Sequence, residues 1–321
     1  MSSAPTTLDF TNIVGLETAR QALLLLAVNP ALGGAAIAAR VGSGKSTLVR
    51  AFAALLPPGT PFIELPLSIT EDRLLGGLDL EATLIKGAPV FEPGVLARAH
   101  GGVLYVDNAN RLEPSVAAVL AEAMSNGYVR VEREGLSAIQ PARFLLIATY
   151  DPEEGDLPLS LLDRLGLIVP LSAQGDAATR AEVVRRNLHP AHDEDESNML
   201  RAMIVAAREL LPRVQLPDDH LAALVQTAMA LGVEGNRADV FAAQAALASA
   251  ALEGREVVDE DDLQRAVRLV LLPRATQAPT ENQPAPQPPT APRATGTAEE
   301  EGEDETQSEA ERPIQELLLE A

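Results

Sequence analysis

Cysteine and tryptophan are missing altogether, and only two lysines, Lys45 and Lys86, occur in 321 residues. Without cysteine there is no disulfide framework, no thiolate zinc site and no thiol nucleophile. Aromatic residues amount to 3%, too few for the stacking platforms on which single-strand binders rely. The four histidines (His100, His189, His192 and His220) show no metal-ligand spacing. No apolar run approaches the ~18 residues that cross a bilayer. The first nine residues carry no basic stretch followed by an apolar one, so no signal peptide is expected. Positive charge is scarce as well: the net charge is −21, a poor match for a phosphate backbone. The expectation is a soluble, cytoplasmic protein with no nucleic-acid partner and no membrane span.

What is present is enough apolar residue, 46%, for a sizeable core. The acidity is unevenly spread. Between Ala275 and Ala321 stand seven prolines and eleven acids against Arg293 and Arg312, so −9 of the −21 lies there. Such a stretch reads as a polyproline II spacer followed by a self-repelling acidic segment, a disordered acidic tail spanning 274–321. Its end, from Ile314 to Ala321, regains three leucines, which suits a segment that leads to something or binds something.

Ahead of the tail, short apolar runs alternate with helical patterns. Strands are expected at Gly33–Ala39, Phe62–Leu65, Gly102–Asp107, Phe144–Thr149 and Gly166–Val169, with helices at Ser46–Leu56 and Pro114–Asn126. Continuous apolar strands separated by helices indicate a parallel sheet covered on both faces. Residues 1–172 therefore read as an α/β nucleotide-binding domain. Alternation by two between Gly127 and Arg143, turning at Gly135, predicts a β-hairpin. From 173 to 273 the periodicity is helical, at Leu200–Leu211, Pro217–Leu231, Arg237–Leu252 and Asp259–Leu271. This predicts a second, all-helical domain.

Between the first strand and its helix lies Ala39-Arg-Val-Gly-Ser-Gly-Lys-Ser46, a phosphate-loop pattern with Ala39 at the usual first glycine. Gly42, Ser43 and Gly44 would let backbone amides converge on phosphate. Lys45 would neutralise the β and γ phosphates of ATP, Ser46 would ligate Mg²⁺, and Thr47 would lie beside the α-phosphate. Ala39 matters only if its position requires a positive φ. Sixty-two residues after Lys45, Asp107 ends a strand where a second Mg²⁺ carboxylate is expected. Asn108 follows, where many ATPases of this layout carry a glutamate that polarises water; an amide cannot accept the proton. Arg164, after Leu161-Leu-Asp, serves either a structural ion pair or as an arginine finger on a neighbour's γ-phosphate. Arg237 opens a helix of the second domain. It either reaches nucleotide held between the domains or pairs with Asp239. Arg143 is a weaker candidate of the same kind.

Taken together, these segments resemble the AAA+ ATPases, and within them the magnesium chelatase ATPase-type subunits. The resemblance covers residues 8 to 272. It rests on Ile13-Val-Gly-Leu-Glu, Thr70 to Asp79, Phe91-Glu-Pro-Gly-Val-Leu-Ala97, Gly102 to Asp107, Val131-Glu-Arg-Glu-Gly135, Pro141-Ala-Arg-Phe144, Pro152-Glu-Glu-Gly155 and Leu161-Leu-Asp-Arg164. It implies a P-loop core with a five-stranded parallel sheet, β-hairpin insertions and a helical lid. It also implies a role in ATP-dependent Mg²⁺ insertion into protoporphyrin IX, the committed step of chlorophyll and bacteriochlorophyll synthesis, catalysed by a ligase forming nitrogen–metal bonds. The partners implied are an I ATPase subunit, in hexameric rings, and a porphyrin-binding H subunit. The I-type pattern carries Glu and Asn at the positions of Asn108 and Asp151, the latter being the sensor 1 position. Both departures, with the proline-rich acidic stretch, resemble the D-type subunit, whose AAA+ module is hydrolytically defective. That type continues into an integrin I-like domain, whose Asp-x-Ser-x-Ser is absent here, as in an N-terminal fragment or a short form. An I-type motor and a MoxR-like chaperone are the alternatives.

Overall fold

The computed structural model describes residues 8–87, 90–133, 136–171, 176–189 and 194–277. Helix α1 (Glu17–Val28) precedes strand β1 (Gly34–Ala38), α2 (Lys45–Ala53) and β2 (Phe62–Glu64). A small insertion follows: α3 (Glu71–Leu75), β3 (Gly76–Leu78), α4 (Leu80–Lys86), β4 (Phe91–Pro93) and α5 (Val95–Arg98). Then come β5 (Val103–Val106), α6 (Pro114–Asn126), the hairpin β6 (Tyr128–Arg133) and β7 (Leu136–Pro141), β8 (Leu145–Tyr150), α7 (Leu159–Leu162) and β9 (Leu167–Pro170). The rest is helical: α8 (Ala177–Leu188), α9 (Glu194–Leu210), α10 (Asp218–Ala230), α11 (Asn236–Leu252) and α12 (Glu260–Ala266), which widens into a π-helical turn at Val267–Leu271.

Five strands form one parallel sheet in the order β2-β5-β8-β1-β9. Alternate residues face opposite sides. Ala35 and Ile37 of β1, Val103 and Tyr105 of β5, and Leu145 and Ile147 of β8 enter one core with α1, α2 and the helical domain. Ala36, Ala38, Leu104, Val106, Leu146 and Ala148 enter the other, against α5, α6 and α7. The central strands β1, β5 and β8 are buried at every position because both faces of the sheet are covered. The helical domain is thus not a cap over the strand ends. Its α9 and α11 pack on α1, behind the sheet. Arg208 Nε donates to the Ala27 carbonyl at 2.6 Å and Asn29 Nδ2 to Gln244 Oε1 at 2.6 Å, fastening that contact.

Helix α6 spans the expected residues, ended by Gly127 at φ 71°. Helix α2 stops at Ala53, three residues early, because Pro57 and Pro58 bar its continuation. Helix α9 starts at Glu194, six residues before its apolar pattern, with Glu194, Asp195 and Glu196 in the first turn where the helix dipole favours acids. Helices α1, α3, α4 and α5 and the β3–β4 pair were not expected. The hairpin is present, while its turn at 134–135 lies outside the described residues, as does the tail beyond Gln277.

Among the described residues of the helical domain, one charged side chain is fully buried. Asp262 is fully buried and takes two bonds from Arg255, at 2.7 and 2.9 Å. It also closes a capping box: Asp259 N donates to Asp262 Oδ2 at 3.0 Å, and Asp262 N to Asp259 Oδ1 at 3.2 Å. Burial pushes its carboxyl up, but the Arg255 and Asp259 hydrogen bonds outweigh this and hold it below the usual carboxylate range. Removing one partner of a buried pair costs about 3–5 kcal/mol. Asp262→Asn is therefore expected to lower stability at pH 7 by about 3 kcal/mol in denaturant unfolding. A depressed folded-state pKa adds stability that is complete above the unfolded value of about 4 and is lost as pH falls through the folded value. The difference between wild type and variant is accordingly expected to shrink below about pH 4.

Candidate nucleotide site

The phosphate loop leaves the C-terminal end of β1 and enters α2. Gly42 and Gly44 stand at φ 82° and 87°, a region costly for any residue with a Cβ. Ala39 is not among the positive-φ residues, and its amide donates to the Tyr150 carbonyl at 3.0 Å. Alanine is tolerated there because the backbone is ordinary. Lys45 is buried and folded back on the loop, donating to the carbonyls of Ala39 and, at 3.1 Å, Arg40. Burial lowers its pKa, opposed by the charges of Asp151 and Asp107. The Ser43 hydroxyl is sealed from solvent without a hydrogen-bond partner. Thr47 follows on the first turn of α2.

Asp107 sits just past the end of β5, the neighbour of β8. Ser46 Oγ donates to its Oδ2 at 3.0 Å, and Thr149 Oγ1 to its Oδ1 at 2.6 Å. The Tyr105 hydroxyl lies 3.2 Å from Thr149 Oγ1. Burial raises the Asp107 pKa, but the bonds from Thr149, Ser46 and Tyr105 and from the Asn108 amide bring it below the ordinary value. The carboxylate is thus held ionised, with a serine hydroxyl on one oxygen. Ser46 and Asp107 form the hard-oxygen pair that a divalent cation with a phosphate chain requires. The unsatisfied Ser43 hydroxyl and the open space beside Gly42 fit that ligand. Thr149 and Tyr105 are site residues that sequence reasoning missed; hydroxyls on otherwise apolar strands were the available signal.

Asn108 and Asp151, the positions where the sequence departs from the I-type pattern, are each set by the local backbone. Asn108 adopts φ 51° and ψ 48°, alone among the described non-glycine residues at positive φ. Asparagine is among the few residue types that tolerate this conformation. Asp151 is buried: its Oδ2 accepts the Val41 amide at 3.1 Å and its Oδ1 the Glu153 amide at 3.0 Å. It is therefore a brace under the phosphate loop as well as a negative charge beside it.

Arg237 is not at this end of the sheet. It pairs with Asp163, not Asp239, next to Arg164. The Arg164 carbonyl lies against Gly33, before β1, whereas Lys45 binds Ala39, after it. Five strand residues, about 16 Å, separate the two. The expected contact of Arg237 with nucleotide on its own loop is thereby corrected: the helical domain packs behind α1 and carries Arg237 to the opposite end. Arg164 is partly buried, its Nε donating to Ser125 Oγ at 2.6 Å and its Nη1 to the Ser160 carbonyl at 2.6 Å. Arg143, Arg164, Arg208 and Arg237 line one cleft of about 1040 Å³ there.

A glycine loop between strand and helix, with a hydroxyl and carboxylate clasped beside a buried lysine, defines a P-loop nucleotide-binding protein. Residues 40–165 match the AAA domain of the dynein-related subfamily, and residues 221–293 the AAA lid domain. The chain is 53% identical to the magnesium-chelatase 67 kDa subunit of Chlorobaculum tepidum over 281 residues, 87% of this chain and 45% of that one. With the magnesium-chelatase 38 kDa subunit of Rhodobacter capsulatus it shares 39% identity over 311 residues, covering 84% of this chain and 88% of that one. A structure of the complex between subunits BchI and BchD of magnesium chelatase, based on a cryo-EM reconstruction, matches 86% of this chain. There the TM-score is 0.50, the identity 38% and the coverage of that chain 98%. The chain belongs to the magnesium-chelatase family of AAA+ ATPases, and it spans less than half the length of the 67 kDa relative. Among the described residues, no helix is long and apolar enough to cross a membrane.

Losing a hydrogen bond to a charged group costs about 1.5–3 kcal/mol. Thr149→Val, which removes the 2.6 Å bond to Asp107, is expected to weaken Mg²⁺-dependent binding of a fluorescent ATP analogue by about 10-fold or more. Binding in excess EDTA is expected to change little, and titration with and without Mg²⁺ separates the two.

Proposed function

We propose that the chain is a D-type AAA+ platform of magnesium chelatase that binds ATP·Mg²⁺ and hydrolyses it weakly or not at all. The observation that carries this reading is the contrast within one site. Gly42, Gly44, Lys45 and the Ser46–Asp107 clasp are in place, while Asn108 offers no base and Asp151 is bonded to the loop backbone. Lys45 and the loop amides bind the phosphates, and Ser46 and Asp107 hold the cation. When bound, Mg²⁺ neutralises charge across the β and γ phosphates. The identity to the 67 kDa subunit, 53%, exceeds that to the 38 kDa subunit, 39%. The longer relative also leaves room for a further domain past an acidic linker. Both observations support the D-type reading.

The role is then allosteric within an assembly. Three arginines, Arg164, Arg237 and Arg143, stand at the end of the sheet opposite the loop. In a hexameric ring or stacked rings, that end would meet the phosphates of an adjoining I subunit, where Arg164 acts in trans. Mg²⁺ insertion into protoporphyrin IX itself would fall to the H subunit. An I-type motor is the second reading, favoured by the match to 88% of the 38 kDa subunit.

ATP turnover by the purified chain decides between them. The platform reading expects a rate near background, raised about 10-fold or more when Asn108→Glu is combined with Asp151→Asn, since a general base contributes about 10²–10⁴-fold. Brisk turnover by the wild type that Asp107→Ala abolishes would establish the motor instead.

A further inference from the structure

Helix α12 and its π turn end at a short strap, Leu272–Gln277, that leads to the proline-rich segment. Two groups fasten it. Thr276 Oγ1 donates to the Gly232 carbonyl at 2.6 Å, and the Thr276 and Gln277 amides to the Leu231 carbonyl at 3.0 and 3.2 Å, all within the helical domain. Arg274 reaches the other way. Its Nη1 donates to the carbonyls of Val270, at 2.6 Å, and Gly166, at 3.3 Å. Its Nη2 donates to Leu165 and, at 3.5 Å, to Leu162. Of those four acceptors, Leu162 ends α7, and Leu165 and Gly166 lie in the turn between α7 and β9, the turn that contains Asp163 and Arg164.

The chemistry of the contact is unusual. A four-residue helix leaves its last carbonyls without internal donors, and a planar guanidinium can serve several acceptors at fixed angles where an ammonium cannot. Burial lowers the Arg274 pKa to about 10, opposed by the charge of Asp163, so the group stays cationic at neutral pH. Asp163 meanwhile pairs with Arg237 and lies 3.9 Å from Arg164. Arg164 and Arg237 therefore share one carboxylate, whose charge also reaches Arg274, and the turn is gripped from the helical domain at two points, by Arg237 on its side chain and Arg274 on its backbone.

We infer that Arg274 is a positioning residue for Arg164: it fixes the Leu162–Gly166 turn to the strap, so that movement of the strap moves the arginine that faces a neighbouring nucleotide. A displacement of about 1 Å in a catalytic group suffices for a rate effect of about 10²-fold. The inference rests on the trans reading of Arg164 given above. It deepens that reading by naming the connection through which anything joined beyond Gln277 would act on the site.

The test uses the full chain mixed with its 38 kDa-type partner subunit under ATP and Mg²⁺. Arg274→Lys keeps the charge and loses the multiple bonding. It is expected to lower kcat of the mixture by about 10-fold or more, with KM for ATP and co-elution of the two subunits unchanged. In an Arg164→Ala background the same substitution is expected to have no further effect. Additive losses, or an unchanged kcat beside an impaired Arg164→Ala, would overturn the inference. Hydrogen exchange supplies a readout free of activity. The Arg164, Leu165 and Gly166 amides are expected to exchange faster in Arg274→Lys, and in the same direction in Thr276→Val, which disturbs no buried charge. Unchanged exchange in both variants overturns the positioning, whereas an Arg164→Ala mixture of normal rate overturns the trans reading itself.

Discussion

The carboxylate of Asp107 is the point on which the nucleotide site turns. Three elements meet there: α2 through Ser46, β8 through Thr149, and its own strand β5 through the Asn108 amide. Partial burial alone would raise the pKa of this carboxylate and weaken its hold on a cation. Here hydroxyls hold it ionised, and in doing so they tie the ends of β5 and β8 to the first turn of α2, where the phosphate loop ends. The parallel sheet makes this possible because pairing Tyr105 with Ile147 and Val106 with Ala148 brings the ends of both strands to the same level. Stability and chemistry are one requirement at this position.

The sheet also separates two kinds of charge. One end gathers phosphate-binding amides, one buried lysine and two carboxylates. The other gathers arginines, in a chain whose net charge is −21. Like charges collected on one cleft repel unless an anion joins them, and Asp163 is a single carboxylate against Arg164, Arg237 and the charge of Arg274. In the proposed assembly, the loop end of one subunit would meet the arginine end of the next. The packing of the helical domain behind α1 is what makes the arginine end possible. A lid placed over the phosphate loop would have carried Arg237 away from Asp163.

How much of this was legible in the sequence depended on whether the signal was local. The β1–loop–α2 unit was readable because Gly42, Gly44 and Lys45 answer to one local geometric demand. The apolar runs of β5 and β8 were readable because both faces of the sheet are buried. Helix α1 was not, since a helix hydrophobic nearly all round, as at Leu23 to Val28, has no periodicity to betray it. The small β3–β4 pair was hidden for the opposite reason, each strand being three residues long. Ala39 left its meaning open until its φ was known. Arg237 was misplaced because its partner Asp163 is 74 residues away, a contact decided by the docking of the helical domain and by no pattern within α11.

The same distinction governs what the departures at Asn108 and Asp151 mean. From the residue types alone each is a missing function, a lost base and a misplaced charge. In the fold each also has a local task. Asn108 occupies a left-handed turn that would cost most other residues about 1–2 kcal/mol, and Asp151 braces the Val41 amide of the loop. Restoring glutamate at 108 therefore introduces strain together with a base, and removing the carboxylate at 151 frees a loop amide together with relieving repulsion. A site in which both positions have become structural resists reversal by single substitutions. It holds its loop in shape through its own side chains, which is what the proposed platform role requires of it.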